Sequence, residues 1–172
     1  MVEYIGYHAT ETMRVYSINH KGFKHNHGWL GKGAYFFDSN DQIAKDWGRR
    51  KYPTSAISVF KAIIKTNKQE DVFDVRNPYS ADSLLFAEER NNIIEAMKAK
   101  GVSYNKSARD FDALIFNKIK EDYSKKIIIH NTYTYVETQK GFPPSHVCNG
   151  TEICISDNKL IKSLEVLKWT NI

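Results

Sequence analysis

One stretch constrains this chain more than any other: Gly31-Lys32-Gly33-Ala34-Tyr35-Phe36-Phe37-Asp38-Ser39. Two glycines flank a lysine and run into aromatic residues, so the backbone must turn tightly, or approach a ligand closely, as it delivers Tyr35 at the start of a strand. Ser39-Asn40-Asp41-Gln42 then reads as a capping box, with Ser39 as N-cap and Gln42 reaching back. It predicts a helix with Ile43, Ala44 and Trp47 on one face. A loop, a strand and a helix follow in quick succession, a pattern found at plain structural turns and at ligand sites alike.

Around this stretch the chain alternates between strand and helix signals. Residues Tyr4 to Thr10 read as a short strand ending in His8-Ala9-Thr10, and Glu11 to His20 spaces Met13, Tyr16 and Ile18 as a helix that stops before Gly22. Phe23 to Leu30 reads as a loop. Its His25 and His27 have no acidic or cysteine partner at ligand spacing, which favours a solvated or substrate-facing loop over a metal site. Ala56 to Ile64 and Val72 to Val75 are rich in β-branched residues and predict strands. A helix opening at Ser80 or Asp82 carries Leu84, Leu85, Ile93, Ile94 and Met97 to Gly101, and another covers Asp110 to Tyr123. Strands are expected over Lys126 to His130, Thr132 to Thr138, Val147 to Ser156 and Leu160 to Trp169. With no internal repeat and no linker, residues 1–172 read as one domain of α+β class with mostly antiparallel pairing.

Charge and cysteine content narrow the partners. Lysine and arginine number 25 against 20 acidic residues, a net charge of +5 that suggests an anionic partner. Cys148 and Cys154 form neither a zinc-type pair nor a disulfide framework, so free thiols in a reducing compartment are expected. The N-terminus shows no signal-peptide pattern, and no apolar run is long enough to span a membrane, which points to a soluble cytoplasmic protein.

Three residues stand out for chemistry: His8 at the end of the first strand, Tyr35 after the glycines, and Glu152 in Thr151-Glu152-Ile153-Cys154-Ile155-Ser156. Each also has a plain structural reading, as a core histidine, a core aromatic and a surface carboxylate. Strand periodicity turns Ile153 and Ile155 to one side and Glu152, Cys154 and Ser156 to the other. Taken together, Tyr7-His8-Ala9-Thr10, Gly31-Lys32-Gly33-Ala34-Tyr35-Phe36 and Glu152-Ile153-Cys154-Ile155 resemble the His-Tyr-Glu signature of the ADP-ribosyltransferase fold, in the branch shared by diphtheria toxin and the poly(ADP-ribose) polymerases.

The resemblance implies a split antiparallel β-sheet core with inserted helices, NAD as co-substrate and no metal. It places His8 on the ribose at the adenosine side of NAD, the backbone at Ala9 and Thr10 on the nicotinamide carboxamide, and Tyr35 stacked on the nicotinamide ring. Glu152 binds the 2'-hydroxyl of the nicotinamide ribose. The chemistry makes independent sense: breaking the nicotinamide bond develops positive charge on the ribose, and a fixed carboxylate beside it lowers the barrier. Departures from the family pattern are Ala9 for a glycine, and Ile43 and Asp46 where the polymerases carry a serine and a second stacking aromatic, with Trp47 next in line as a substitute stack. Gly150 stands where arginine-specific transferases carry Gln or Glu, which argues against an arginine acceptor.

The expected activity is therefore mono-ADP-ribosyl transfer onto a macromolecule, in the manner of intracellular toxins of toxin–antitoxin or phage-defence modules, with an antitoxin as possible protein partner. RNA is favoured over DNA as acceptor. The basic, aromatic-bearing segments at Lys21 to His27 and Trp47 to Tyr52 motivate that choice, with Arg49 and Arg50 for phosphates and Phe142, in the Thr138 to His146 loop, for base stacking. The alternatives are a protein acceptor, water in an NAD glycohydrolase, and a catalytically silent NAD- or ADP-ribose-binding module.

Overall fold

The computed structural model describes residues 1–135, 141, 143, 145 and 147–167. The chain runs through β1 (Val2–Glu11), a 3-10 turn, α1 (Val15–Lys21), β2 (Asn26–Gly28), β3 (Gly31–Asp38), α2 (Asp41–Lys51), β4 (Ile57–Thr66), β5 (Val72–Asp74), α3 (Ala81–Ala99), α4 (Ala108–Asp122), β6 (Ile127–Thr132), β7 (Gly150–Ile155) and β8 (Ile161–Leu167). The strands form a mixed sheet in the order β5-β6-β7-β3-β1-β4-β8, with β2 paired to β3 off that path. Only the β5–β6 pair among these is parallel. The class is α+β, as the alternation of patterns predicts.

Both faces of the sheet's centre are covered. Phe36, Phe60, Ala62, Ile64, Ile127, Ile129, Ile153 and Ile155 pack together on one face. On the other, Ile128, Phe73 and Cys154 pack under Phe111, Ile115, Phe116 and Ile119 of α4. The alternation in β7 thus gives two buried faces rather than one buried and one wet, because α4 lies over the Cys154 side. A third cluster joins Ile43 and Ala44 of α2 to Ala9, Phe37 and Val59.

The pairing of β1 with β3 is what shapes the molecule. β1 pairs with β4 along its whole length, from Val2↔Thr66 to Glu11↔Ile57, and β3 pairs with β7 from Ala34↔Ile155 to Phe37↔Glu152. Between them, β1 and β3 meet only at Gly6↔Asp38 and Tyr7↔Phe37. A side chain on Gly6 would place its Cβ 2.8 Å from Cβ of Phe36, so the glycine lets that buried ring lie across β1 at the point of contact. Beyond Tyr7 the ladder stops, and the His8 end of β1, Tyr35 to Phe37 of β3, Trp47 and Arg50 of α2 and Arg109 of α4 border one opening.

Several boundaries differ from the sequence reading, each for a local reason. The N-cap of α2 is Asn40, whose Oδ1 accepts the Ile43 N–H, whereas Ser39 sits at φ +54° and makes the turn before it. The 3-10 turn and α1 begin later than expected because β1 runs on to Glu11 and the Thr12 N–H bonds the Ala56 carbonyl. The loop before Gly31 contains a strand, β2. Ser107 and Asp110 form a capping box that starts α4 ahead of the expected Asp110; of the two openings expected for α3, Ser80 is the cap. Residues 133–135 continue no strand, and β7 begins at Gly150 instead of Val147. Among the described residues, no helix is long and apolar enough to cross a membrane.

Candidate active site

A cleft of about 870 Å³ lies at the opening between β1 and β3, and His8, Ala9, Thr10, Tyr35, Trp47, Arg50 and Glu152 all line it. Three strands remote in sequence therefore bring His8, Tyr35 and Glu152 to one concavity, because β3 pairs with β7 on one side and touches β1 on the other.

His8 is fixed by its ring. Its Nδ1 lies 2.7 Å from the Tyr35 carbonyl oxygen. A carbonyl only accepts, so Nδ1 carries the proton and Nε2 keeps a lone pair. The ring packs edge-on against Phe23 at 4.8 Å and beside Phe36 at 5.7 Å. Burial pulls its pKa down, against the carbonyl bond, which favours the neutral imidazole that this tautomer requires.

Tyr35 is held at its hydroxyl, which donates to the Gly31 carbonyl at 2.6 Å and accepts the Leu30 N–H at 2.9 Å. Burial pushes its phenol far above the usual range, so it stays neutral. Ala9 is buried, and a Cβ on Gly48 of α2 would lie 2.7 Å from its methyl, so that methyl is turned into the helix contact. Thr10 is buried on the cleft wall. Trp47 packs edge-on to Phe37 and Tyr52 at 6.4 and 6.2 Å.

Glu152 receives the Trp29 indole N–H on Oε2 at 2.8 Å. Burial pushes its carboxyl pKa up, while the Trp29 bond, the Thr132 hydroxyl and the Arg109 guanidinium pull it down. The carboxylate is thus partly stripped of water yet supplied with donors, the condition in which a charge acts strongly on a neighbouring reaction centre. It is the only carboxylate among the described lining residues, against the cations Arg14, Lys24, Arg50, Lys51 and Arg109.

The structure separates Arg49 from Arg50. Arg50 lines the cleft, whereas Arg49 is exposed outside it and pairs with Asp46 at 3.8 Å. Phe142 lies outside the described residues. His27 lines the cleft. Both cysteines are free, with Cys148 exposed and Cys154 buried. Gly150 has a packing reason of its own, since a Cβ there would come within 2.8 Å of Ile43 Cδ1.

Sequence reasoning missed Trp29, Thr132, Arg109 and Lys120. Lys120 of α4 donates to the carbonyls of Leu30 and Lys32, both at 2.9 Å, and to Cys154 Sγ at 3.2 Å, and so ties α4 to the hairpin that carries Tyr35. Trp29, an indole beside glycines, reads in the sequence equally as a core residue. Compared with protein-family models, curated proteins and solved structures, the chain matches none.

Proposed function

We propose that this chain is an NAD-dependent ADP-ribosyltransferase, built on the split-sheet fold its motifs resemble, that transfers one ADP-ribose onto RNA and releases nicotinamide. The observation that carries this reading is the convergence of His8, Tyr35 and Glu152 on one cleft from three strands. Its volume suits a ligand of dinucleotide size.

In this reading each residue has work that its geometry supports. The bare Nε2 of His8 accepts a ribose hydroxyl of the adenosine half. The ring of Tyr35, held at its hydroxyl, stacks on nicotinamide. Glu152 accepts from the 2'-hydroxyl of the nicotinamide ribose and stabilises the cationic sugar. The bond between C1' and the ring nitrogen breaks, and nicotinamide leaves neutral with the electron pair. An acceptor atom then forms the new bond to C1' and sheds its proton.

The cation excess in the cleft supports a polyanionic acceptor beyond the pyrophosphate of NAD. A cytoplasmic toxin restrained by an antitoxin is the setting the resemblance suggests, by analogy alone.

The test is incubation with labelled NAD and a whole-cell extract, following nicotinamide release and the fate of the label. Glu152→Gln is expected to lower release by at least ~10²-fold with little change in NAD affinity. No release by the unaltered protein overturns the enzyme reading. Label that survives RNase and is lost to protease overturns the RNA acceptor and leaves a protein acceptor in its place.

A further inference from the structure

The hairpin leading into β3 turns at Trp29-Leu30, and its backbone is held from several directions. The Leu30 N–H donates to Tyr35 Oη, Lys120 Nζ holds the carbonyls of Leu30 and Lys32, and the Lys32 N–H donates to Asn117 Oδ1 at 2.7 Å. A turn tied in this way is a rigid mount for the side chain it displays. That side chain is Trp29, whose Nε1–H donates to Glu152 Oε2 at 2.8 Å. Its ring packs edge-on against His130 at 4.8 Å, and His130 stands directly opposite Glu152 in the β6–β7 ladder.

We propose that Trp29 is a positioning residue for Glu152, its indole N–H fixing one carboxylate oxygen so that the carboxylate is presented to the cleft in a single orientation. The consequence for catalysis rests on the ADP-ribosyltransferase reading, whereas the coupling of the two side chains does not. The ring of Trp29 also packs against the cluster under α4, a contact that another aromatic ring keeps in part. The distinguishing group is the N–H, which prefers the charged carboxylate as its acceptor.

Among the described residues, the groups around Glu152 are few. Trp29 faces it from the hairpin, Thr132 and His130 from β6, Arg109 from α4, Tyr35 from β3 and Cys154 from its own strand. Trp29, Thr132 and Arg109 favour the anion, and burial opposes them. Tyr35 and Cys154 are kept neutral by burial. Of these three described donors, only Trp29 sits on a turn anchored from a separate helix.

Trp29→Phe keeps an aromatic ring beside His130 and removes the donor. Carboxyl carbon NMR of the folded variant is expected to show the Glu152 titration shifted to higher pH, and the acidic limb of the NAD-cleavage profile should move the same way. kcat is expected to fall on the order of 10- to 100-fold while KM for NAD changes by less than about 2-fold. In the unaltered protein, the Trp29 indole proton should shift with the Glu152 titration, and that response should vanish in Glu152→Gln. A folded Trp29→Phe with an unchanged Glu152 titration overturns the proposal. If that variant does not fold, the indole proton of the unaltered protein decides: a shift that ignores Glu152 overturns the proposal and one that follows it supports it. Absence of NAD cleavage in the unaltered protein removes the enzyme reading and leaves the NMR test standing.

Discussion

Glu152 and His8 are both held against their own solvation, and the two respond to pH in opposite senses. Burial raises the Glu152 carboxyl above its ordinary value of 4.5. Its contribution to stability is therefore complete below that value and is lost as pH rises through the folded-state pKa. Glu152→Gln, whose amide oxygen still accepts from Trp29, should melt at a higher temperature than the unaltered protein near pH 7.5. The gain should disappear near pH 4. A melting temperature unchanged by Glu152→Gln across that range would contradict the burial argument. For His8 the folded pKa lies below the ordinary 6.5, so stability is complete above that value and falls as pH drops through it. His8→Asn should be less stable at pH 7.5, through lost contact with Phe23 and Phe36, yet flatter in thermal melts between pH 7.5 and 5.5. These residues were legible because type, order and flanking motif agree for each. Trp29 was not, since an indole beside glycines reads equally as core, and no local pattern links it to a strand 123 positions on.

The β2–β3 hairpin and α4 act as one element, joined by Lys120. The ammonium holds the carbonyls of Leu30 and Lys32, and burial pulls its pKa down. Lys120→Met should cost about 2–3 kcal/mol in denaturant unfolding, because two carbonyls lose a charged donor. Amide exchange at Leu30 and Lys32 should rise more than in the centre of β4, and uniform loss across the sheet would place Lys120 in the general core instead. The glycine signal at Gly31 to Gly33 correctly announced an unusual backbone, and the two-residue turn lies just ahead of it. The turn is Trp29-Leu30, and Gly31, at φ +84°, has Asn117 where a side chain would stand. A one-dimensional reading finds the glycines and cannot see the helix packed against them. Ser39 and Asn40 show the same limit, as both are good N-caps, and the turn out of β3 takes the serine into positive φ and leaves the cap to asparagine.

At the scale of the molecule, the short β1–β3 seam is where the candidate cleft opens. Strand types and most strand positions followed from hydrophobic periodicity, whereas the seam did not, because it depends on Phe36 crossing Gly6, a contact between residues thirty apart. The seam also sorts the basic residues, which sequence alone had grouped as Arg49 with Arg50. α2 turns Arg50 into the cleft and leaves Arg49 outside it against Asp46. If RNA runs through the cleft, Arg50→Ala should weaken its binding and Arg49→Ala should do so much less. A phosphate contact releases bound counterions, so its loss shows in the salt dependence as well as in the affinity. For a single strand, the slope of log K against log salt should flatten by roughly 0.7 in Arg50→Ala and stay nearly constant in Arg49→Ala. Both are measured by titrating a labelled single-stranded RNA at several salt concentrations. Equal effects from the two substitutions would mean that RNA follows the outer face of α2, and a slope indifferent to both would take the acceptor strand away from this helix altogether.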